Sequence, residues 1–557
     1  MQIEVIESVS KTIGALALAY PYLRRLGGAE TVDALVTAGK ERLVPTGQVI
    51  EVLILNRLSL RPVPSSRIGA WAQTQAVEEV YGLTAAALND DRLGRALDEI
   101  HPHLVDLWAA LVLRGAQAFG LRLDQLHRDV TRVAFEGTDE DAPATTAEGQ
   151  PLARISHGFT GKEDPSRKQV TLSLSVAAEG AIPAWYRVAD GHAADTRAYQ
   201  AHLAAVRTSL HLEHPLVIGD STLSTRATCL GNCLGFCRGG AHFVGPTSLR
   251  EADRAVLRAS WAAGEAWHRR DPPAVGATPT VGRYGGLEHS AVLADPERGT
   301  TYSLRRLCVQ RLDDRTAARH QRAKELARVH RALWTLRHRL GRPGYRDLPR
   351  VQRKGAQASA RVRAYVHATL SPTPQGLDVR WHLARARLRE DAQCDGIYSV
   401  VTNLVPAAAP SLEIFRLSKE QSQVERRFRA VKHPPLQVRP LWLHQPQRSA
   451  SLVFVVRVAL FLCALIEREA RQVVQQSGQV FTGLRPEGRD HLPVTSEQLV
   501  AAFAPLTLVK QRLRVGDEVV DVLTPTTLSP LQAQILERLA LTKPEVYLQP
   551  SITPHPT

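Results

Sequence analysis

From about residue 126 the chain changes texture in a fixed order, and that order limits the folds open to it. His127–Phe135 (HRDVTRVAF) is an extended run, Lys168–Ala178 (KQVTLSLSVAA) shows β-branched alternation, and Ala184–Val188 (AWYRV) is a third short run. Period-two alternation of this kind predicts strands. Asp195–Leu212 reads as a helix, and Pro215–Ile218 (PLVI) is a short apolar run ending at Gly219-Asp220. A further helix is expected from Ser224. Three strands, helix, strand, helix predicts a mixed sheet flanked by helices.

That order is the opening of a ribonuclease-H-like α/β fold, and the rest of the chain is expected to arrange around it. Residues 1–115 read as a helical N-terminal DNA-binding domain. Gly47–Ser59 has helical composition, Arg61-Pro62-Val63-Pro64 breaks it, and Ser65-Ser66 can cap a second helix. Helix, break, helix is compatible with a helix-turn-helix reader and equally with any small bundle. Residues 116–246 form the first part of the core. Residues 247–395 interrupt it with an insertion that carries a long helix over Arg315–Leu340, its Leu326, Val329, Leu333, Leu336 and Leu340 spaced 3-4-3-4 like a packed seam. Extended segments are expected near Ala360–Leu370 and Leu377–Leu388. Residues 396–480 complete the core, with a strand at Gly396–Asn403, a polar helix at Ser418–Val431 and an apolar helix over 451–475. Residues 481–557 are a C-terminal region ending in a disordered Pro-rich tail (PSITPHPT).

Charge narrows the partner. The chain has 70 Lys/Arg against 55 Asp/Glu, a net of +15, and Thr301–Leu370 alone holds 18 Lys/Arg against 4 Asp/Glu. An excess so concentrated suggests a polyanion. Arg322, Arg328, Arg331, Arg337 and Arg339, on the faces of the long helix away from its seam, are the candidate phosphate contacts. No apolar run reaches the roughly 18 residues of a membrane span, Arg457 interrupts the nearest, and Glu4 and Glu7 stand where a secretory signal carries positive charge. A cytoplasmic protein with no membrane partner is expected. Six cysteines in 557 residues are too sparse for a disulfide framework. Cys229, Cys233 and Cys237 share a helix face and lack the paired spacing of common zinc sites, so they read as core residues.

Three acidic residues fall in an informative order: Asp129 in the first strand, Asp220 just past the strand PLVIG, and Glu425 beyond the insertion. Three carboxylates converging at one end of a sheet can hold two hard cations about 3.5–4 Å apart for phosphodiester chemistry. The surrounding sequence resembles the bacterial insertion-sequence DDE transposases with the signature Tyr-x2-Arg-x3-Glu-x6-Lys. Glu425 and Lys432 keep the Glu-x6-Lys spacing, and Val438-Arg439-Pro440 is typical of one branch. Asp129-Val130-Thr131, His157-Gly158-Phe159-Thr160, Asp190-Gly191 with Asp195, Gly219-Asp220-Ser221-Thr222 and Asp395–Asn403 resemble further family segments. The similarity spans residues 30 to 475.

The resemblance implies an enzyme that binds the terminal inverted repeats of its own element, cleaves the DNA ends and transfers them to target DNA. It implies Asp129, Asp220 and Glu425 as catalytic metal ligands, two Mg²⁺ ions (Mn²⁺ substituting), double-stranded DNA as partner, a homodimer on DNA and a place at the bacterial nucleoid. The chain departs from the signature at two positions: Ser418 replaces the Tyr and Gln421 the Arg, residues that contact the phosphate of the transposon end in the family. With Lys432 they are the DNA-contact candidates of this segment. Glu413 and Glu420 are rival third carboxylates, but neither has a Lys seven positions later. Two other readings stay open: a decayed or domesticated transposase that binds DNA without cutting it, and a metal-dependent nuclease of another purpose.

Overall fold

Apolar residues recur at helical spacing through much of the first 120 residues, and helices form there. The computed structural model describes residues 3–36, 44–134, 156–157, 168–190, 195–220, 223, 227–263, 268–270, 284–359, 365–374, 376–421, 424–425, 427, 446–485, 487–541 and 551–554. These divide into two units, Met1–Phe243 with Glu420–Thr557, and Val244–Lys419.

The chain opens on a strand, β1 (Ile3–Thr12), which corrects the all-helical expectation for the N-terminus. Its partner is Thr507–Val515, antiparallel and about five hundred residues away, so no local pattern announces it. Then follow α1 (Leu16–Leu26), α2 (Thr46–Leu58), α3 (Asp90–Ile100) and α4 (Leu104–Phe119). Asn89 caps α3 by accepting the Arg92 amide at 2.9 Å, and Asp90 and Asp91 in the first turn suit the helix dipole. α2 is buried along almost its whole length. A Cβ at Gly47 would lie 2.2 Å from the Ala29 carbonyl oxygen, so glycine is what allows that close approach.

The expected sheet follows: β2 (Gln125–Ala134), β3 (Lys168–Ala177), β4 (Pro183–Asp190), α5 (Asp195–Leu210), β5 (Leu216–Gly219) and α6 (Ala227–Arg238). β3 runs antiparallel to both β2 and β4, and β5 joins the other edge of β2 in parallel. The sheet is therefore mixed, as expected. Gln169, Thr171, Ser173 and Ser175 of β3 are nevertheless buried, where alternation alone would place a wet face. Ser175 Oγ lies 2.7 Å from Nε2 of the buried His202 of α5.

The second unit starts within β6 (His242–Thr247), which with β7 (Tyr284–Asp295), β8 (Thr300–Arg311) and β11 (Ile397–Thr402) pairs antiparallel in the order β6–β11–β8–β7. α7 (Leu312–Arg339) is the long basic helix. Its seam packs as expected: Val329 and Leu333 bury against Val366, and Leu336 against Val379. Those partners belong to the hairpin β9 (Val366–Thr373) and β10 (Gly376–Leu383). The segment expected to stay extended to Leu388 turns into a helix at Arg385–Gln393, and the unit closes with Ser411–Lys419.

Returning to the first unit, a 32-residue helix, α8 (Pro446–Ser477), runs through the core. By length and apolar composition it could cross a membrane, but 83% of its most apolar window is buried inside the protein. Trp108 of α4 meets Phe454 and Phe461 of α8 edge-on, at centroid distances of 6.4 and 5.9 Å. The N-terminal helices, the inner strands and α8 share one hydrophobic core, although the sequence reading assigns them to separate domains. After α8, Thr507–Val515 and Glu518–Pro525 form a sheet with β1 and with Ser551–Pro554. That last strand corrects the expectation of a disordered tail.

Candidate active site

Strand register brings two of the three predicted acids together. β2 and β5 are aligned in parallel from Gln125↔Leu216 to Arg128↔Gly219, so the next residues, Asp129 and Asp220, stand level. Neighbouring strands lie about 4.8 Å apart and level side chains share a sheet face. β5 ends at Gly219, which puts Asp220 just past its carboxyl end, beside Asp129 in the middle of β2. Each is half-buried.

The third acid arrives on a short segment tied down on both sides. Gln421 Nε2 donates to the Arg128 carbonyl at 2.7 Å, and Glu420 Oε2 lies 3.8 Å from His127 Nε2. Val424 is fully buried. Arg427 donates from Nε to the Ala181 carbonyl, from one terminal nitrogen to the Gly180 carbonyl and from the other to Glu467, each at 2.8 Å. Glu425 is the exposed residue between these anchors.

The charges of Asp220 and Glu425 both act on Asp129. The Asp129 carboxyl is pushed up to about 7, chiefly by burial, opposed by the Val130 amide that donates to it at 2.7 Å, and raised further by the charges of Asp220 and Glu425. Crowded carboxylates favour either a proton or a cation. The donor set is all oxygen, as Mg²⁺ prefers. These residues fit a divalent metal centre on both charge and chemistry.

The remaining predicted residues are placed unevenly. Ser418 ends the helix Ser411–Lys419, and its hydroxyl donates back to the Phe415 carbonyl. The polar helix expected over Ser418–Val431 is thus not continuous: Glu420 and Gln421 form a turn, and helix is described again at Val424 and Glu425. Lys432, Val438-Arg439-Pro440, Ser221 and the side chain of Cys229 lie outside the described residues. On α7, Arg328, Arg331, Arg337 and Arg339 are exposed. Arg337 lies 3.4 Å from Asp378, and Arg339 bonds the Tyr345 hydroxyl at 3.2 Å. Arg322 is half-buried and donates to both oxygens of Asp395, one at 2.7 Å. It is an internal ion pair rather than an open phosphate contact.

Two features escape the sequence reading. Arg427, two positions after Glu425, has the signal of a charged residue whose partner Glu467 interrupts an apolar helix. Arg457 of α8 is buried, with its guanidinium 3.2 Å above the Tyr186 ring. Burial draws it down to about 10. Tyr186 faces Leu174, which faces Asp129, so the three side chains form a row across one sheet face.

In the second unit Asp253, His289 and Cys308 bring three potential ligand atoms within 4.8 Å of one another. Arg306 donates to both Asp253 oxygens at 2.6 Å, and burial raises the Cys308 thiol to about 12. A cation would have to displace that guanidinium, so the cluster is a buried ion-pair network.

A family described as a domain of unknown function (DUF4277) matches residues 8–112. No curated protein matches the chain. Among solved structures, it is similar to piggyBac transposase in a synaptic complex with hairpin DNA, at 7% identity over 89% of this chain and 82% of that one, with a TM-score of 0.36. It is also similar to Mos1 transposase in a paired-end complex with the left transposon end, at 12% identity over 37% of this chain and 60% of that one, with a TM-score of 0.15.

Proposed function

We propose that this protein is a transposase-type enzyme that cuts and transfers DNA strands with divalent cations. The observation that carries the reading is the level placement of Asp129 and Asp220 at the end of β5, with Glu425 close enough to act on the Asp129 charge. The motif resemblance supports the same three residues.

Asp129, Asp220 and Glu425 would together hold the two cations. When bound, the cations stabilise charge on the attacking and leaving oxygens of an in-line displacement. The protein's own part is to fix these carboxylates: the strand ladder sets the two aspartates, and the ties of Gln421 and Arg427 set the glutamate. The exposed arginines of α7 would bind backbone phosphates. The finer reading follows the resemblance: ends of the protein's own insertion sequence, Mg²⁺ with Mn²⁺ able to replace it, a homodimer on DNA at the bacterial nucleoid, and Lys432 on the phosphate beside the cut.

The test is strand cleavage of end DNA by the purified full-length chain with Mg²⁺ or Mn²⁺. Asp129→Ala, Asp220→Ala and Glu425→Ala should each abolish cleavage and leave DNA binding within a few-fold of wild type. Near-normal cleavage by any one of them removes that residue from the site.

A further inference from the structure

We infer that Gln421 is a positioning residue of the carboxylate site and not a contact to DNA: its amide locks the Glu425 segment onto the backbone beside Asp129. The inference rests on the function proposed above and assigns Gln421 a role other than the phosphate contact of the signature Arg whose place it takes.

The geometry starts from the strand ladder. The Asp124 carbonyl accepts the Leu216 amide of β5 at 2.8 Å. Carbonyl directions alternate along a strand, so those of Leu126 and Arg128 also point toward β5. β5 ends at Gly219, level with Arg128. The Arg128 carbonyl is therefore the acceptor at the end of that ladder, directly before Asp129. Gln421 Nε2 reaches it at 2.7 Å, coming in where Asp129 and Asp220 stand side by side.

The same bond argues against a phosphate contact. With Nε2 directed at the Arg128 carbonyl, the other end of the amide is Oε1, which is an acceptor like a phosphate oxygen. That atom is buried and has no hydrogen-bond partner among the described residues. A side chain turned inward at both ends offers a DNA backbone little. It does restrict the chain that carries Glu425 four residues later. A carboxylate on an untied segment must lose backbone and side-chain freedom when it takes up a cation, and outer residues that fix ligands alter metal affinity by roughly 10- to 100-fold.

The experiment compares full-length wild type, Gln421→Met (similar length, no donor) and Gln421→Ala. Mn²⁺ binding is measured by calorimetry without DNA, and end-DNA binding is measured without metal. Asp129→Asn is the control for the site itself, and thermal unfolding without metal confirms that each variant folds. Both Gln421 variants should bind Mn²⁺ at least tenfold more weakly and bind DNA as wild type does. Unchanged Mn²⁺ affinity, with or without weakened metal-free DNA binding, would overturn the inference, and the weakened binding would make Gln421 a DNA contact. If Asp129→Asn binds Mn²⁺ as tightly as wild type, the carboxylate site itself is wrong, and the role of Gln421 falls with it.

Discussion

Arg427→Met should cost about 3 kcal/mol of stability and should do so most at neutral pH. The wild-type guanidinium is 3% exposed and fills two backbone carbonyls, Gly180 and Ala181, and one oxygen of Glu467, itself 7% exposed. Removing one partner of a buried pair costs about 3–5 kcal/mol, because the other charge stays buried. The lower end applies here. Arg471 remains 3.3 Å from Glu467, and the Ser496 amide and hydroxyl still donate to it at 3.1 and 3.2 Å. Burial pushes the Glu467 carboxyl up, but Arg427, Arg471 and Ser496 outweigh burial and hold it below the usual carboxylate range. A depressed carboxylate stabilises the fold above its unfolded value, near 4.3, and loses that contribution as pH falls through the folded value. In the variant the depression is smaller, so the deficit should shrink toward acid as both proteins protonate Glu467. Equilibrium urea unfolding at pH 7 and pH 4 measures this. Arg427→Met/Glu467→Leu should recover more than half the loss at pH 7, since no lone charge is then left buried. A single-variant deficit under about 0.5 kcal/mol at pH 7, or one that grows toward acid, would refute the reasoning.

Glu51 gives the opposite pH sign. Burial raises its carboxyl to about 7 despite donors from the Ala29 amide and the Tyr81 hydroxyl, so stability is full below the unfolded value and falls by about 3 kcal/mol as pH rises through 7. Glu51→Gln should flatten that decline, and an unchanged pH–stability curve would count against it. Replacing Arg328, Arg331, Arg337 and Arg339 with Gln should lower the salt slope of DNA binding by about 0.9 for each phosphate no longer neutralised; an unchanged slope returns α7 to a merely solvated face. Arg322→Gln should chiefly destabilise the second unit by taking from Asp395 the guanidinium that bonds both its oxygens, visible as earlier unfolding of that unit. Gly47→Ala should lower stability by more than about 1 kcal/mol, because its Cβ would overlap the Ala29 backbone; a neutral melt would show that the two segments can move apart.

Much of the fold was legible wherever a pattern is local. The seam of α7 announced its packing because 3-4-3-4 spacing is a property of one helix. The strands of the inner sheet were found within a residue or two because alternation and β-branching act over about ten residues. What stayed hidden depends on distant partners. β1 pairs with residues past 500, so Ile3–Thr12 is stabilised as a strand by a segment no window around it contains. The alternation of β3 would by itself leave one face to water, yet its serines and threonines lie buried in the protein, next to His202 in the case of Ser175. Polar residues on a strand report a demand for hydrogen bonds, and either water or buried side chains can meet it.

The site divides along the same line. Asp129 and Asp220 fall level because each is fixed by its own strand, and adjacent parallel strands turn a sequence order into a level pair. Glu425 needed the family spacing, since the segment that bears it is set by contacts to residues near 128, 181 and 467. Gln421 shows the limit of carrying a signature over by position. Read as a replaced Arg, it is a weakened phosphate contact, and adding the Arg back should help. Read from its hydrogen bond, it is an inward donor at the end of a ladder, and Gln421→Arg would place a larger, charged group beside a backbone carbonyl that an amide already fits. The two readings predict opposite signs for cleavage by Gln421→Arg at saturating Mg²⁺: a gain if position 421 faces phosphate, a loss if it sets the carboxylates. Rates for that variant and for wild type on the same end DNA separate them, and a gain in rate would sink the positioning role.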